Sequence, residues 1–148
     1  MTFFFDTNIF VHYLRESPVY RFIESEYDPL KKGNTLFTSI VNVAELGSLA
    51  IQNGWGTARM NKLNDLLTQF VKTEIRFGKI IDHYIQIEAF SQCKLPDLPA
   101  SHKTPRNMGK NDLWIAATAS VLDAPLLTTD HDFDHLDNVF LKLLRISA

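Results

Sequence analysis

The segment that decides the fold is Thr2–Leu14, with the sequence TFFFDTNIFVHYL. Its apolar start, TFFF, is rich in β-forming residues and favours a strand that is buried on both faces. Asp6-Thr7-Asn8 interrupts this run, and the apolar residues from Ile9 onward have the spacing of a helix. A buried strand that leads through polar residues into a helix is typical of a parallel α/β sheet.

The rest of the chain repeats this alternation of strands and helices. Further strands are predicted at Thr35–Thr38, Lys72–Arg76, Pro125–Thr128 and Val139–Leu144. Further helices are predicted over Pro18–Tyr27, Val41–Gln52, Thr57–Phe70, Lys79–Gln92 and from Asn111 or Asp112 to Leu122, with Ser39 as a helix cap. Lys94–Lys110 contains three prolines and no periodicity, so we expect a loop there. The pattern predicts an α/β fold with a central, mostly parallel sheet of about four to five strands flanked by helices.

The composition is that of an ordinary globular protein and is neutral on function. The chain has 148 residues, of which 45% are hydrophobic and 22% charged, and no repeat or linker divides it, so we expect a single domain over residues 1–148. The net charge of −2 gives no indication of nucleic-acid binding and does not exclude it either. Cys93 is the only cysteine, and we recognise neither a signal peptide nor an apolar run of membrane-spanning length, which predicts a cytoplasmic protein.

Four carboxylates fall at places where a parallel α/β fold builds its sites. Asp6 directly follows the first strand, and Asp130 directly follows the strand at Pro125–Thr128. Ligands of open parallel sheets bind beyond the carboxyl ends of the strands, so both residues are expected at the functional edge. Glu45 lies within an otherwise apolar helix, and Asp112 opens the helix after the loop.

Each of these carboxylates also has a structural interpretation. Asp6 is a suitable helix cap, and Asp112 would complement the positive end of a helix dipole. Glu45 is compatible with a solvated helix face, and Asp130 with the start of a turn. The joint occurrence of all four at these places favours a functional cluster over four independent structural roles.

Clustered carboxylates repel one another and become partly protonated unless a cation joins them. Hard oxygen ligands suit Mg²⁺ or Mn²⁺, which can lower the pKa of a bound water and stabilise charge on a phosphoryl group during in-line displacement. The chain has no Cys/His spacing of a zinc site, no GxxxxGK[ST] loop and no GxGxxG turn. The pattern therefore favours a magnesium or manganese site over zinc or nucleotide binding.

Four segments resemble the four motifs of PIN domains, and look closest to the VapC-type toxin ribonucleases of bacterial toxin–antitoxin pairs. These segments are FFFDTNIFVHYL (3–14), SIVNVAEL (39–46), KNDLWIAATA (110–119) and LLTTDHDF (126–133). The resemblance covers essentially the whole chain, and its strength lies in the presence of all four motifs in order. It departs from compact toxin members in one respect, because the stretch from Glu45 to Asp112 is longer, with the excess in Lys94–Lys110.

The resemblance implies a PIN-like fold and a metal-dependent endoribonuclease that acts on RNA. Its catalytic and metal-binding residues would be Asp6, Glu45, Asp112 and Asp130, with Mg²⁺ or Mn²⁺ as the cofactor. Residues in a supporting role would be Asp132, as a further acid, and the polar neighbours Thr7, Asn8 and Thr129. The implied partners are an RNA substrate, a cognate antitoxin protein and a second copy of the chain in a homodimer, with no membrane association.

Basic residues of the predicted loop are candidate contacts to RNA phosphates, namely Lys103, Arg106 and Lys110. The alternative is an ordinary solvated loop. Trp114 and Trp55 could stack on bases, but we interpret Trp114 as a core residue and leave Trp55 open. The helix predicted at Thr57–Phe70 is a candidate dimer contact, unless its apolar stripe is entirely core.

Other functions remain as alternatives at this point. The chain could be a PIN nuclease for RNA processing or DNA cleavage without a toxin role, or a non-catalytic PIN domain that binds RNA or protein. Degenerate PIN domains usually lose their acids, whereas this chain retains all four. A haloacid-dehalogenase-like phosphatase is disfavoured, because it needs a second aspartate two residues after the first, where this chain has Asn8.

Overall fold

The computed structural model describes all residues from Met1 to Ala148. Its centre is a five-stranded sheet in the order β3-β2-β1-β4-β5, in which every pair of neighbouring strands is parallel. The strands are β1 (Thr2–Phe5), β2 (Thr35–Ser39), β3 (Phe70–Thr73), β4 (Leu126–Thr128) and β5 (Leu143–Arg145). The predicted α/β class and the parallel sheet are confirmed.

Six α-helices and one 3-10 helix flank the sheet. The α-helices are α1 (Thr7–Arg15), α2 (Pro18–Glu26), α3 (Ile40–Gln52), α4 (Thr57–Leu67), α5 (Gly78–Ser91) and α6 (Lys110–Leu122), and the 3-10 helix is His131–Leu136. None of the helices combines the length and the apolar character needed to cross a bilayer.

The consecutive phenylalanines of β1 explain why both faces of the sheet are covered. Successive side chains of a strand point to opposite faces. Phe3 and Phe5 accordingly lie in a core formed with α1 to α4, whereas Phe4 lies in a second core formed with α5, α6 and the 3-10 helix. All three are at most 1% exposed, and burial of each ring contributes about 2–3 kcal/mol. The apolar run at the start of the chain thus joins the two cores.

Predicted element boundaries were wrong in two regions, and in the first of them the helix predicted to reach Phe70 ends at Leu67. The third strand is Phe70–Thr73 rather than Lys72–Arg76, because Phe70 leaves the helical stripe and packs its ring 4.8 Å from those of Phe5 and Phe10. The last strand is Leu143–Arg145 rather than Val139–Leu144, because the chain after Leu136 turns through hydrogen bonds to that residue. The apolar stripe of α4 packs in the first core, where Leu63, Leu66 and Leu67 are buried and Met60 is partly buried.

Candidate active site

The candidate site lies where the order of the strands reverses. The chain passes outward from β1 to β2 and β3, then crosses back to place β4 on the other side of β1. Such a reversal leaves a crevice beyond the carboxyl ends of the two central strands. Asp6 follows β1 at this crevice and Asp130 follows β4, as the sequence predicts.

Asp6 is a buried carboxylate held by hydrogen bonds from two neighbouring elements. It caps α1, where its Oδ1 accepts the Thr7 backbone N–H at 2.8 Å, and its side chain remains only 4% exposed. Its Oδ2 accepts the Thr128 hydroxyl of β4 at 2.7 Å and the Asn8 amide at 3.4 Å. Asp6 is therefore a helix cap and a member of the cleft at the same time, so the two interpretations do not compete.

Glu45 reaches the crevice from the second turn of α3. Its Oε1 accepts the Thr7 hydroxyl at 2.7 Å, and its Oε2 accepts the Asn111 amide at 3.3 Å. Asn42, one turn earlier on α3 and fully buried, donates to the Thr7 Oγ1 at 2.9 Å. These contacts place the carboxylate over the crevice between α1 and α6, which disfavours the interpretation of Glu45 as a solvated helix residue.

Asp112, Asp130 and Asp132 form a compact set of oxygen donors. One carboxylate oxygen from each lies within 4.8 Å of the others. Asp130 accepts the Asp132 backbone N–H at 2.9 Å, which begins the 3-10 helix and turns Asp132 toward the cluster. Oxygens bound to one Mg²⁺ lie about 3–4 Å apart, since each bond is about 2.1 Å long. Small side-chain movements would bring the three onto one ion.

The electrostatics of the cleft are those of crowded negative charge. Burial raises the pKa of Asp6 to about 6, helped by the charges of Glu45 and Asp130 and opposed by the hydrogen bonds from Thr128 and Thr7. Burial, followed by repulsion from the surrounding acids, raises the pKa of Asp112 to about 7. A divalent cation would remove this repulsion, so the donor set fits a hard metal ion.

The carboxylates share one open cavity of about 350 Å³. Thr7 and Asn8 line this cavity together with the four acids predicted for the site, which are Asp6, Glu45, Asp112 and Asp130. Asp132 stands at its edge through the cluster with Asp112 and Asp130. Thr129 contributes its backbone N–H to the Asn8 Oδ1 at 3.3 Å. A second cavity of about 490 Å³ continues past Glu45 along α3.

Sequence reasoning missed several polar residues of the site. Thr128, rather than Thr129, donates a side-chain hydrogen bond to Asp6, and Asn42 supports Thr7. The signal for Asn42 was its position as the one polar residue in the apolar start of the helix, Ile40–Ala44. His12 and Arg15 line the cavity from α1, and their spacing from Asn8 along one helix face was the available signal.

The basic residues predicted in the loop do not line either cavity, and the last of them, Lys110, is the first residue of α6. None of Lys103, Arg106 and Lys110 lines either cavity or forms an ion pair with an acid. The loop is tied instead to the end of α5, where the Arg106 backbone N–H donates to the Ser91 carbonyl at 2.7 Å. Their contact with RNA stays a prediction.

The two tryptophans are placed by packing. Trp114 is partly buried and lies 4.2 Å from the ring of Tyr84, against the second core. Trp55 packs against the first core, with the Arg59 guanidinium 5.6 Å above its ring.

Comparison with known families places the fold and the site in context. The PIN domain family matches residues 3–139, almost the full length of the chain. The chain belongs to the PIN domain family. Comparison with curated proteins gave no significant match.

Several solved structures have the same fold. VapBC2 from Rickettsia felis, bound to a DNA fragment from their promoter, matches with a TM-score of 0.70 and 24% identity over 97% of this chain and 98% of that chain. VapBC-1 from nontypeable Haemophilus influenzae matches with a TM-score of 0.69 and 23% identity over 98% of both chains. FitAcB from Neisseria gonorrhoeae matches with a TM-score of 0.64 and 20% identity over 98% of this chain and 97% of that chain. At these identities the likeness concerns the fold.

Proposed function

We propose that the chain is a metal-dependent endoribonuclease of the cytoplasm that hydrolyses RNA phosphodiester bonds and acts as the toxin of a toxin–antitoxin pair. The observation that carries this proposal is the convergence of four carboxylates from four separate elements in one cleft; they are Asp6, Glu45, Asp112 and Asp130. The expected cofactor is Mg²⁺ or Mn²⁺. PIN membership and the fold shared with VapBC toxin–antitoxin structures support the proposal.

The site residues would act through an ion that they hold. When bound, the ion supplies a water of lowered pKa and stabilises negative charge on the phosphoryl group. Asp112 and Asp130 would be its main ligands, because they belong both to the compact set with Asp132 and to the cavity that they share with Asp6. Asp6 and Asp132 would be the further ligands on either side of them. Thr7 fixes the Glu45 carboxylate through a 2.7 Å hydrogen bond, so Glu45 is suited to orient a water at the edge of the ion.

Cleavage assays of purified variants test the nuclease. Asp112→Asn and Glu45→Gln should each reduce cleavage of a single-stranded RNA by at least 100-fold, because each removes a charge from the metal site. Asp123→Asn is the matched control, since Asp123 is exposed and ends α6 in a left-handed conformation that asparagine adopts readily. Wild-type activity in Asp112→Asn would contradict the assignment. Cleavage of DNA but not RNA would correct the substrate.

The toxin role predicts a neutralising partner. A cleft with uncompensated carboxylates attracts a cation, and arginine forms paired hydrogen bonds with carboxylates. An antitoxin segment that placed an arginine among these acids would displace the metal and block RNA together. Expression of wild type alone should arrest growth, whereas expression with its genomic neighbour, or as Asp6→Asn, should not. Harmless expression of an active wild-type enzyme would favour a PIN nuclease without a toxin role.

A homodimer is the expected assembly. Three apolar side chains spaced four residues apart at the start of α5 lie exposed: Phe77 (53%), which caps the helix, and Ile81 (40%) and Ile85 (60%) within it. A stripe on one helix can pair with the same stripe of a second copy around a two-fold axis. The stripe replaces the buried face of α4 as the candidate contact.

A further inference from the structure

One side of the acidic cleft is formed by a single face of α1 that carries no acid. Asn8, His12 and Arg15 follow one another at intervals of four and three residues, and all three line the 350 Å³ cavity. Residues at this spacing lie on the same side of a helix. The cleft therefore has an acidic side and an opposite side with a basic and an imidazole group.

Arg15 is a basic residue in an acidic cavity that pairs with none of its carboxylates. It is exposed, and it takes part in none of the ion pairs of the chain. Nor does its guanidinium donate a hydrogen bond to any backbone carbonyl, in contrast to Arg21, which donates to the Glu16 carbonyl. Its five N–H donors are thus free for a ligand. A guanidinium with free donors is suited to a ligand that carries negative charge.

His12 presents a second free donor beside Arg15. Its Nδ1 lies 2.8 Å from the Ser17 hydroxyl, which also accepts the Tyr20 backbone N–H and has no other acceptor for its proton. Donation of that proton to Nδ1 leaves the ring proton on Nε2. The Nε2 atom has no hydrogen-bond partner in the chain and is not among its buried unpartnered atoms, so it is accessible, and His12 is one of the residues that line the cavity.

We propose that Arg15 and His12 form a phosphate subsite, which binds a backbone phosphate of RNA next to the phosphate that is cut. Guanidinium groups match phosphate oxygens with paired hydrogen bonds, and a neutral imidazole N–H adds a single one. The proposal rests on the nuclease function and specifies how its substrate is held. It gives α1 a phosphate contact that is separate from the candidate contacts of the segment Lys94–Lys110.

The subsite acts on binding rather than on the chemical step. Because the phosphate it holds does not react, its contacts have the same strength in the ground state and the transition state. Loss of such contacts raises KM and leaves kcat unchanged. Loss of a metal ligand, in contrast, lowers kcat. This split separates the subsite from the carboxylates.

Steady-state kinetics of Arg15→Gln on a single-stranded RNA oligonucleotide, at several NaCl concentrations in Mg²⁺, test the proposal. We expect KM to rise about tenfold with kcat within twofold of wild type. The dependence of log KM on log salt should weaken by about 0.7, the value for one lost phosphate contact on a single strand. Arg15→Lys should keep the wild-type salt dependence while KM rises less, because lysine retains the charge but not the paired hydrogen bonds. His12→Phe should raise KM without changing the salt dependence.

The control is Arg76→Gln, since Arg76 is an exposed arginine paired with Glu74 and lies outside both cavities. It should match wild type in KM and salt dependence. Binding of Mn²⁺ by Arg15→Gln, measured as a rise in melting temperature, should be at least as tight as in wild type, because a positive charge has been removed from beside the acids. If the enzyme cleaves RNA but Arg15→Gln and Arg76→Gln have equal KM values, the subsite proposal is wrong and the nuclease function stands. The same holds if Arg15→Gln lowers kcat and weakens Mn²⁺ binding. Failure of wild type to cleave RNA would overturn the nuclease function and the subsite with it.

Discussion

Replacement of Asp112 by asparagine should stabilise the metal-free protein while abolishing its activity. The Asp112 carboxylate is only partly exposed and surrounded by other acids, and these two effects raise its pKa from 3.8 to about 7. A change of this size corresponds to about 4 kcal/mol of unfavourable free energy for the ionised form. Because water screens part of this repulsion at a half-buried group, we expect Asp112→Asn to gain about 2 kcal/mol.

The gain should depend on pH in a defined direction. A carboxylate whose pKa is raised by folding destabilises the folded state fully above the folded pKa, and not at all below the unfolded value. The advantage of Asp112→Asn should therefore be complete at pH 8 and should fall to less than half at pH 5. For a chain of this length, about 2 kcal/mol corresponds to a rise of about 6 °C in melting temperature.

Denaturant and thermal unfolding at pH 5 and pH 8, each in EDTA and in Mn²⁺, measure these effects. Mn²⁺ should stabilise wild type by about 3 kcal/mol at 100 times its dissociation constant and should stabilise Asp112→Asn much less. The order of stability of the two proteins should therefore reverse between EDTA and Mn²⁺. Asp123→Asn, which changes an exposed acid, should follow wild type. An Asp112→Asn protein that is less stable than wild type in EDTA at pH 8 would refute the reasoning from crowded charge.

Three further outcomes are expected. Thr128→Val should raise the pKa of Asp6 further, because it removes the hydroxyl that donates to this carboxylate at 2.7 Å, and the acidic limb of the pH–rate profile should move to higher pH. Joint neutralisation of Lys103, Arg106 and Lys110 should weaken RNA binding and reduce its dependence on salt, because contacts to RNA phosphates are lost. An unchanged salt dependence would show that this segment does not contact RNA. Ile85→Lys should convert a dimer to a monomer in light scattering, and a dimer of undiminished stability would place the contact elsewhere.

The edge position of Asp6 and Asp130 could be predicted because it follows from local rules. Each aspartate comes at the end of a short apolar strand, and parallel strands present their carboxyl ends at the same edge. The approach of Glu45 and Asp112 to them was favoured by the joint occurrence of the four acids and implied by the resemblance, but no spacing within the chain says how a helix docks on a sheet.

Other features could not be predicted because they depend on packing between distant segments. The start of β3 is set by the contact of Phe70 with Phe5 and Phe10. These two residues are more than 50 positions away in the sequence, so the local pattern around Phe70 does not reveal the contact. Asn42 supports Thr7 across 35 positions of sequence. Arg15 lies on the same face of α1 as Asn8, but only the folded structure shows that this face lines the acidic cavity.

The central claim is that the acidic cleft cleaves RNA by means of a divalent cation, and cleavage before and after chelation tests it most directly. Purified wild type should cut a single-stranded RNA oligonucleotide in Mg²⁺, stop when EDTA is added in excess, and recover when Mg²⁺ or Mn²⁺ is restored. Asp6→Asn protein prepared in the same way should remain inactive throughout, which excludes a contaminating nuclease. Cleavage by wild type that persists after complete removal of metal would contradict the account and would point to metal-free acid–base chemistry, with His131 beside the cluster as the first residue to replace.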